Sequence, residues 1–420
     1  MRLSAFGEKF TAHAGVVDLM DDLGEALRAD PAPVFMGGGN PARVPAVEAH
    51  CRELLGRLIA DPDSWQRLVG SYQSPQGDPA FRERLARYLA ERYGWALGPD
   101  NIAIANGSQS AYFVLYNLFA GRSTDGARRR IHLPLVPEYI GYADAGLEPA
   151  FFSATAPQIE DLPGHEFKYR VDLAALEIGE DIGALALSRP TNPTGNVLSR
   201  RELDALAERA RDADIPLIVD GAYGDPFPAI TYGEASPTWD EQTILTLSLS
   251  KLGLPGLRTG IVIASETLAR AFARANTVIQ LAPGNLGPAV AEQLLVSGAM
   301  DRLCEAQLRT YYRRRLEDVL DALHDELAGL PWRFHRPGGA FFLWLWLPGL
   351  PVSSAELYRR LKARGLIAIP GEHFFIGVDS AWRHTRECLR LSYAQEPALL
   401  RRGIGLLGEE LRALYGASGP

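Results

Sequence analysis

Cysteine is scarce in this chain of 420 residues, which contains only Cys51, Cys304 and Cys388. The three stand far apart in the sequence, so neither a disulfide framework nor a paired-cysteine metal site is predicted. A chain that does not depend on disulfides suits a reducing compartment. We therefore expect a cytoplasmic protein without a bound metal.

Long apolar runs and an excess of positive charge are also missing. The longest wholly apolar run, AFFLWLWL at 340–347, is too short to span a membrane. The first residues, MRLSAFGEKF, carry charges where a signal peptide needs its apolar stretch. The formal net charge of -8 argues against a nucleic-acid surface, because phosphate binding needs a dense positive patch. The composition predicts a soluble protein that binds neither membranes nor nucleic acid.

Short apolar patches alternate with helical patterns through the middle of the chain. Strands are predicted at 102–106, 184–188, 216–220 and 246–250, and each ends in polar residues. This order is typical of an α/β domain with a largely parallel sheet, in which ligands bind at the carboxyl ends of the strands.

The character of the sequence changes near residue 295. Long amphipathic helices follow, together with the strand AFFLWLWL and a strand that ends at LRLSYA, which indicates a separate α+β domain. The first residues are rich in Gly and Pro near MGGGNP and do not make a domain alone. The predicted division is an N-terminal segment at 1–50 associated with the small domain, a large domain at 51–295 and a small domain at 296–420.

One segment, SLSKLGLPGLRTG at 248–260, combines an amine with donors for a phosphate. Lys251 directly follows a predicted strand, where it is well placed to form a Schiff base with an aldehyde. Ser248, Ser250 and Arg258 offer hydroxyl and guanidinium donors to a phosphate. The alternative is a strand that ends in an exposed lysine and a glycine-rich loop.

Polar side chains stand at the ends of other predicted strands. Asp220 ends the strand PLIVD and can pair with a cationic ring nitrogen, while Tyr223 can offer its hydroxyl to a phenolate. Asn192, in SRPTNPTG, lies between two prolines that fix its backbone. Each has a plain alternative, since Asp220 could cap a helix and the proline-rich segment could be only a turn.

A glycine turn, NGSQS at 106–110, precedes a predicted helix. Gly107, Ser108 and Gln109 stand where that helix begins, and free backbone N–H groups at such a position attract phosphate. Tyr139, in LVPEYIGY, is an aromatic residue just after a strand, and a core or rim position would explain it as well.

In their order and spacing these segments resemble the class I and II aminotransferases of fold type I, from about residue 30 to 400. The resemblance implies a pyridoxal-phosphate (PLP) enzyme whose large domain has a mostly parallel sheet of the seven-stranded type. It also implies that Lys251 carries the cofactor, that Asp220 pairs with the ring nitrogen, and that Asn192 and Tyr223 bind the ring hydroxyl. Tyr139 is then expected to stack on the ring. The residues expected at the phosphate and the nearby turn are Gly107, Ser108, Gln109, Ser248, Ser250 and Arg258.

The same resemblance assigns residues to the substrates, an amino acid and a 2-oxo acid. Arg390, in LRLSYA, matches the arginine that binds the α-carboxylate, with Asn192 and either Gly39 or Asn40 nearby. Tyr72, in SYQSPQG, matches the tyrosine that reaches the phosphate of the neighbouring subunit. A homodimer with shared active sites is therefore expected.

A narrower resemblance, to one branch of this family, runs nearly end to end through segments that include FGEKFTAHAG, LMDDLGEALR, MGGGNPARVPA and PGEHFF. Gly221 departs from the wider class, where many relatives have an acidic or bulkier residue, and we expect it to leave room beside the ring. Four aromatic residues of one strand could line an apolar pocket, although alternation turns half of them away; they are Phe341, Phe342, Trp344 and Trp346.

Two other functions stay open. A PLP enzyme of this fold could run β-elimination, γ-replacement or decarboxylation, because fold does not fix the reaction. A PLP-dependent regulator is the other possibility, but it needs a DNA-binding module, and the sequence before residue 30 shows no basic helix-turn-helix pattern.

Overall fold

A computed structural model of the chain describes residues 2–11, 21, 24, 28, 32–378 and 381–416. Parts of FGEKFTAHAG, of LMDDLGEALR and of the predicted segment 1–50 lie outside the described residues. Within those ranges, no helix is both long and apolar enough to cross a membrane. No group of three or more His, Cys, Asp or Glu side chains in the described ranges could hold a metal ion.

The helices and strands follow one another along the chain as follows. The α-helices are Ala5–Thr11, Pro45–Ala60, Pro62–Val69, Pro79–Tyr93, Ser108–Phe119, Arg200–Asp212, Glu266–Gln280, Leu286–Val296, Ala299–Asp301, Thr310–Glu326, Ser354–Ala363 and Pro397–Gly416, with a π-helix at Arg302–Arg309. Short 3-10 turns lie at Pro99–Asn101, Ile140–Tyr142, Ser250–Leu252, Pro255–Leu257, Gly371–Phe374 and Arg383–Arg386. The strands are β1 Val34–Phe35, β2 Ile102–Ala105, β3 Gly121–Arg122, β4 Arg128–Leu133, β5 Phe152–Ala154, β6 Gln158–Asp161, β7 Glu166–Arg170, β8 Ile182–Ser188, β9 Leu217–Asp220, β10 Thr243–Ser248, β11 Gly260–Ile263, β12 Arg333–His335, β13 Phe342–Trp346, β14 Leu366–Ile367, β15 Ile369–Pro370 and β16 Cys388–Ser392.

The larger sheet is mostly parallel, as predicted. Its order is β2-β11-β10-β9-β8-β4-β3, and β5 also pairs with β4. The pairs from β10 through β9 and β8 to β4 are parallel, whereas β11 is antiparallel to both of its neighbours. β3, which has two residues, pairs with the start of β4, and β5 pairs with the end of β4. These two short strands share one edge position, so the sheet has eight strands instead of the seven that were expected.

The apolar sequences of the central strands explain why this sheet is buried. Ile182–Ser188 is buried along its whole length, as are β9 and β10, because helices cover both faces of a parallel sheet. Helix Ser108–Phe119 packs on several of these strands, and helix Arg200–Asp212 packs on β9. Ser199 and Glu202 form a capping box that fixes where the second of these helices begins.

The second sheet has the order β15-β16-β13-β12-β7-β6 and includes two strands from the range predicted for the large domain. The hairpin of β6 and β7 pairs through β7 with β12, and Phe334 lies opposite Glu166. The hairpin belongs there because Phe167 and Tyr169, alternate residues of β7, are fully buried against aromatic residues of this sheet. β6 and β7 therefore lie in the second sheet, although their residues fall within the predicted large domain at 51–295.

The predicted limits at residues 50 and 295 fall within one helix and at the end of another. β1 pairs with β14, which joins the end of the N-terminal segment to the small-domain region. Helix Pro45–Ala60 runs through the predicted limit at residue 50, and helix Leu286–Val296 ends at the limit near 295. The domain limits themselves stay a prediction.

Polar residues meet where the central strands end. β8 ends at Ser188, β9 at Asp220 and β10 at Ser248. In the sheet register, Ser188 lies opposite Asp220, and Asp220 lies opposite Thr246. The parallel pairing therefore brings together residues that the sequence holds far apart.

Candidate active site

A cleft of about 270 Å³ opens at these strand ends. Its lining contains most of the predicted site, namely Gly39, Asn40, Ser108, Gln109, Tyr139, Asn192, Asp220, Tyr223, Ser248, Ser250, Lys251, Arg258 and Arg390. Residues without a predicted role also line it: Phe35, Gly38, Tyr112, Ile140, Ser188, Ala222 and Pro255. Two predicted residues, Gly107 and Tyr72, are not part of the lining.

Lys251 lies in the turn Ser250–Leu252 that directly follows β10, and its amine faces the cleft. Its Nζ donates a hydrogen bond to the carbonyl of Gly39 at 2.7 Å and lies 5.5 Å from the centre of the Tyr223 ring. Burial, together with the positive charge of Arg390, lowers the pKa of this amine to about 8. A half-buried amine with a lowered pKa is a competent nucleophile, and the alternative of an exposed surface lysine is wrong.

Asp220 is buried and held at both carboxylate oxygens. Oδ2 accepts a hydrogen bond from the Tyr142 hydroxyl at 2.7 Å, and Oδ1 accepts one from the backbone N–H of Ala222 at 2.9 Å. The residues that follow Asp220 form turns, so the alternative of a helix cap is wrong. Burial raises the pKa of Asp220, while the hydrogen bond from Tyr142 lowers it. Such a carboxylate gains most from a cationic partner inside the cleft.

Arg390 is a fully buried guanidinium with an unused donor. Nη1 donates to Asn192 Oδ1 at 2.9 Å, and Nη2 donates to the carbonyl of Gly37. The guanidinium carbon lies 4.5 Å and 5.1 Å from the ring centres of Phe342 and Phe374. Burial lowers the pKa of Arg390 to about 10, and its Nε has no hydrogen-bond partner. This arrangement fits a carboxylate, which guanidinium binds with two parallel hydrogen bonds.

The opposite end of the cleft fits a phosphate. Gly107 has φ +96°, and a Cβ there would lie 2.2 Å from Arg258 Nη2, so only glycine allows this approach. The buried Ser108 Oγ has no partner among the described residues, at the first turn of helix Ser108–Phe119. Gln109 Nε2 donates a hydrogen bond to the carbonyl of Gly141 at 2.8 Å. An unpaired hydroxyl, a guanidinium and a helix N-terminus together make an anion site.

The aromatic residues divide between cleft and core. Tyr139 lines the cleft, and Tyr223 packs edge-on against Phe341 and Phe342 with ring centres 5.3 Å and 5.5 Å apart. None of the four aromatic residues of the strand AFFLWLWL lines the cleft. Trp344 packs against Phe374 instead. These four aromatic residues therefore belong to the core rather than to an apolar lining of the cleft.

Tyr72 and Gly221, both singled out in the sequence, do not line the cleft. Tyr72 is 85% exposed and lies outside the cleft, so its predicted role depends on a second subunit. The interpretation of Gly221 is wrong, because a Cβ there would lie 2.9 Å from the carbonyl of Thr246 and 3.2 Å from two leucine side chains. The close approach of β10, rather than space beside a ring, accounts for this glycine.

The sequence did not reveal the roles of several polar residues in the wall of the cleft and behind it. Tyr142 bonds to Asp220, and the hydroxyls of Tyr112 and Thr246 bond to each other. Glu138, which is almost fully buried, accepts hydrogen bonds from the N–H and hydroxyl of Ser188 at 2.7 Å and 2.6 Å. Only Ser188 carried a signal, as the last residue of a predicted strand.

Comparison with known proteins identifies the family of the chain. Residues 60–406 match the family "Aminotransferase class I and II". A valine–pyruvate aminotransferase of Escherichia coli K12 is 44% identical over 418 residues, which is 100% of both chains. The crystal structure of valine-pyruvate aminotransferase from Salmonella typhimurium LT2 is 42% identical, with a TM-score of 0.88 over 96% of this chain and 100% of that one.

A more distant structure shares the fold. The kynurenine aminotransferase of Pyrococcus horikoshii has a TM-score of 0.80 at 20% identity, over 97% of this chain and 96% of that one. The predicted α/β fold with a mostly parallel sheet is thereby confirmed as that of the fold-type I enzymes. The chain belongs to the class I and II aminotransferases and is a PLP-dependent aminotransferase.

Proposed function

We propose that this enzyme transfers the amino group between L-valine and pyruvate, giving 2-oxoisovalerate and L-alanine, in a ping-pong reaction. One observation carries the proposal: the cleft joins a reactive lysine, a buried carboxylate and a carboxylate-binding arginine in a chain 44% identical throughout its length to a valine–pyruvate aminotransferase. The segments FGEKFTAHAG, MGGGNPARVPA and PGEHFF resemble that branch of the family as well.

The residues of the cleft suit PLP at each of its groups. Lys251 would hold the aldehyde carbon covalently, Asp220 the ring nitrogen, and Asn192 and Tyr223 the ring hydroxyl. The phosphate would be held by Ser108, Ser248, Arg258 and the helix N-terminus at Gly107, with Gln109 and Ser250 beside it. The unpaired hydroxyl of Ser108 supports this assignment, because a buried hydroxyl without a partner is costly unless a ligand satisfies it. Tyr139 would cover the face of the ring.

Proton movement falls to the lysine. When bound, PLP supplies an aldehyde for the substrate amine and a ring that takes up the electrons left after the α-proton departs. Lys251 Nζ, with its pKa near 8, is neutral in about a tenth of the molecules at pH 7 and in about half at pH 8, and the neutral amine can accept that proton. Asp220 keeps a proton on the ring nitrogen through its negative charge.

The substrate's two ends meet different parts of the cleft. Arg390 would bind the α-carboxylate through its Nε and Nη2, next to Asn192 and the glycine segment that contains Gly39 and Asn40. The lining cations are Lys251, Arg258 and Arg390, and each already has a role in this scheme. Phe35 and Ile140 add apolar surface that suits the side chain of valine.

We further propose a homodimer in which Tyr72 reaches the partner's phosphate. A hydroxyl on an 85% exposed tyrosine outside its own cleft supports a role at another subunit's site. We also propose a cytoplasmic location, which the three free, buried cysteines support.

A half-reaction screen tests the proposed substrates. The PLP enzyme is mixed with each of the twenty amino acids, and absorbance follows conversion to the pyridoxamine form. L-Valine and L-alanine should convert the enzyme, and pyruvate should reverse the change. A preference for 2-oxoglutarate over pyruvate would refute the substrate assignment, while release of ammonia or carbon dioxide would favour elimination or decarboxylation.

A further inference from the structure

We propose that Tyr142 is a positioning residue, whose hydroxyl holds the Asp220 carboxylate at the ring nitrogen of the cofactor. The inference rests on the proposed function, since it assumes that Asp220 pairs with that nitrogen. It adds a second layer to the site, which the sequence did not indicate.

The contact is direct and buried on both sides. Tyr142 is fully buried, and its hydroxyl lies 2.7 Å from Asp220 Oδ2. The other oxygen, Oδ1, is held by the N–H of Ala222 at 2.9 Å. With one donor on each oxygen the carboxylate cannot rotate freely. Removing the tyrosine hydroxyl would leave the backbone contact at Oδ1 and the neighbouring Tyr112 hydroxyl, which also lowers the pKa of Asp220.

The position of Tyr142 is itself fixed by packing. Its ring centre lies 5.1 Å from that of Tyr112, 5.4 Å from Tyr116 and 5.3 Å from Tyr139, in edge-to-face contacts. Its N–H donates to the carbonyl of Tyr139 at 3.0 Å, within the turn Ile140–Tyr142. One turn after β4 thus supplies both the ring-stacking Tyr139 and the anchor of Asp220.

Electrostatics fixes the direction of this hydrogen bond. Burial and the nearby Asp220 raise the pKa of Tyr142 well above its ordinary value, so the phenol keeps its proton and donates it. Burial alone would favour a protonated Asp220, and the hydrogen bond from Tyr142 opposes that by lowering its pKa. Tyr142 therefore favours the charged carboxylate that a cationic ring nitrogen needs.

The test compares two cofactors in the full-length enzyme. Tyr142→Phe keeps the packed ring and removes only the donor. Apoenzyme is titrated with PLP and with its 1-deaza analogue, which lacks the ring nitrogen. We expect Tyr142→Phe to weaken PLP binding about tenfold, in line with the loss of one hydrogen bond to a charged group. It should leave binding of the 1-deaza analogue within twofold. The half-reaction rate with L-valine should fall as well, with little change in the L-valine concentration at half-saturation.

Two variants make the result specific. Tyr393→Phe is a matched control, because Tyr393 is fully buried, donates to the carbonyl of Ala340 at 3.0 Å and does not line the cleft. It should leave the ratio of the two cofactor affinities unchanged. Tyr142→His restores an N–H donor and should recover part of the preference for PLP over the 1-deaza analogue. This variant also provides a test if Tyr142→Phe folds poorly.

Asp220→Asn separates failure of this inference from failure of the proposed function. If Asp220→Asn loses the preference for PLP over the analogue but Tyr142→Phe keeps it, the role of Tyr142 is refuted alone. If Tyr142→Phe weakens both cofactors equally, the hydroxyl is only structural, and the inference is refuted. If Asp220→Asn itself keeps the full preference, the assignment of Asp220 in the proposed function fails first.

Discussion

Arg390→Lys is the sharpest test of how the enzyme recognises a carboxylate. In the structure the guanidinium lies between the rings of Phe342 and Phe374, donates to Asn192 and leaves Nε without a partner. Lysine keeps the positive charge but offers a single nitrogen, so one of the two carboxylate contacts is lost. A hydrogen bond to a charged group contributes about 1.5–3 kcal/mol, which predicts a fall in kcat/KM of roughly 10- to 150-fold.

The assay is a single-turnover absorbance measurement with two amines. L-Valine carries the carboxylate, whereas isobutylamine has the same side chain and none. Arg390→Lys should slow the reaction with L-valine by the stated factor and leave isobutylamine nearly unchanged. Arg82→Lys is the control, because Arg82 is a buried arginine that donates to the carbonyl of Pro99, away from the cleft. Equal losses with both amines would refute carboxylate recognition by Arg390.

The remaining predictions concern the cofactor, the dimer and pH. Lys251→Ala should abolish turnover yet bind PLP noncovalently, and borohydride should no longer fix PLP to the chain; labelling elsewhere would point to another lysine. Asp220→Asn should slow single turnovers by several orders of magnitude, because an unprotonated ring is a poor electron sink, and near-normal rates would exclude Asp220 from that role. Co-expression of Lys251→Ala with Tyr72→Ala should restore activity at one of the two sites of the heterodimer, and confirmed heterodimers without activity would disprove shared sites. Burial raises the pKa of Glu138 from 4.5 to about 8. Between these pH values the folded protein keeps a proton that the unfolded chain releases, so the free energy of unfolding should fall as the pH rises. Glu138→Gln should reduce the difference between the free energies of unfolding measured in urea at pH 5 and at pH 8. If that difference is unchanged, another group binds the proton.

The strand ends were predictable from the sequence because they depend on local patterns. β8, β9 and β10 are short apolar runs that end in polar residues, and the parallel sheet brings those ends to one edge. Local patterns therefore placed Lys251 and Asp220 at strand ends, and the family resemblance joined them in one site. Motif residues such as Arg390 were identified through the family resemblance rather than through such patterns.

Contacts between distant parts of the chain could not be predicted in this way. Tyr142 and Asp220 are 78 positions apart, and a tyrosine in an apolar turn looks like ordinary core. The hairpin of β6 and β7 has alternation that would suit either sheet, so only packing of Phe167 and Tyr169 decides its place. Gly221 shows the reverse case, in which a residue beside the site is explained by a neighbouring strand.

The bond from Arg390 to the Gly37 carbonyl has a consequence for substrate exchange. An incoming carboxylate that takes the same Nη2 hydrogen must displace that carbonyl, and the measured affinity then reflects the difference between two contacts rather than the full strength of the new one. The departing product is in turn replaced by a peptide oxygen that is already at hand, which shortens the time this N–H donor stays without a partner while Nη1 remains bonded to Asn192. A ping-pong enzyme must admit and release two different acids at one position in every cycle, and moderate net affinity at Arg390 favours rapid turnover of both.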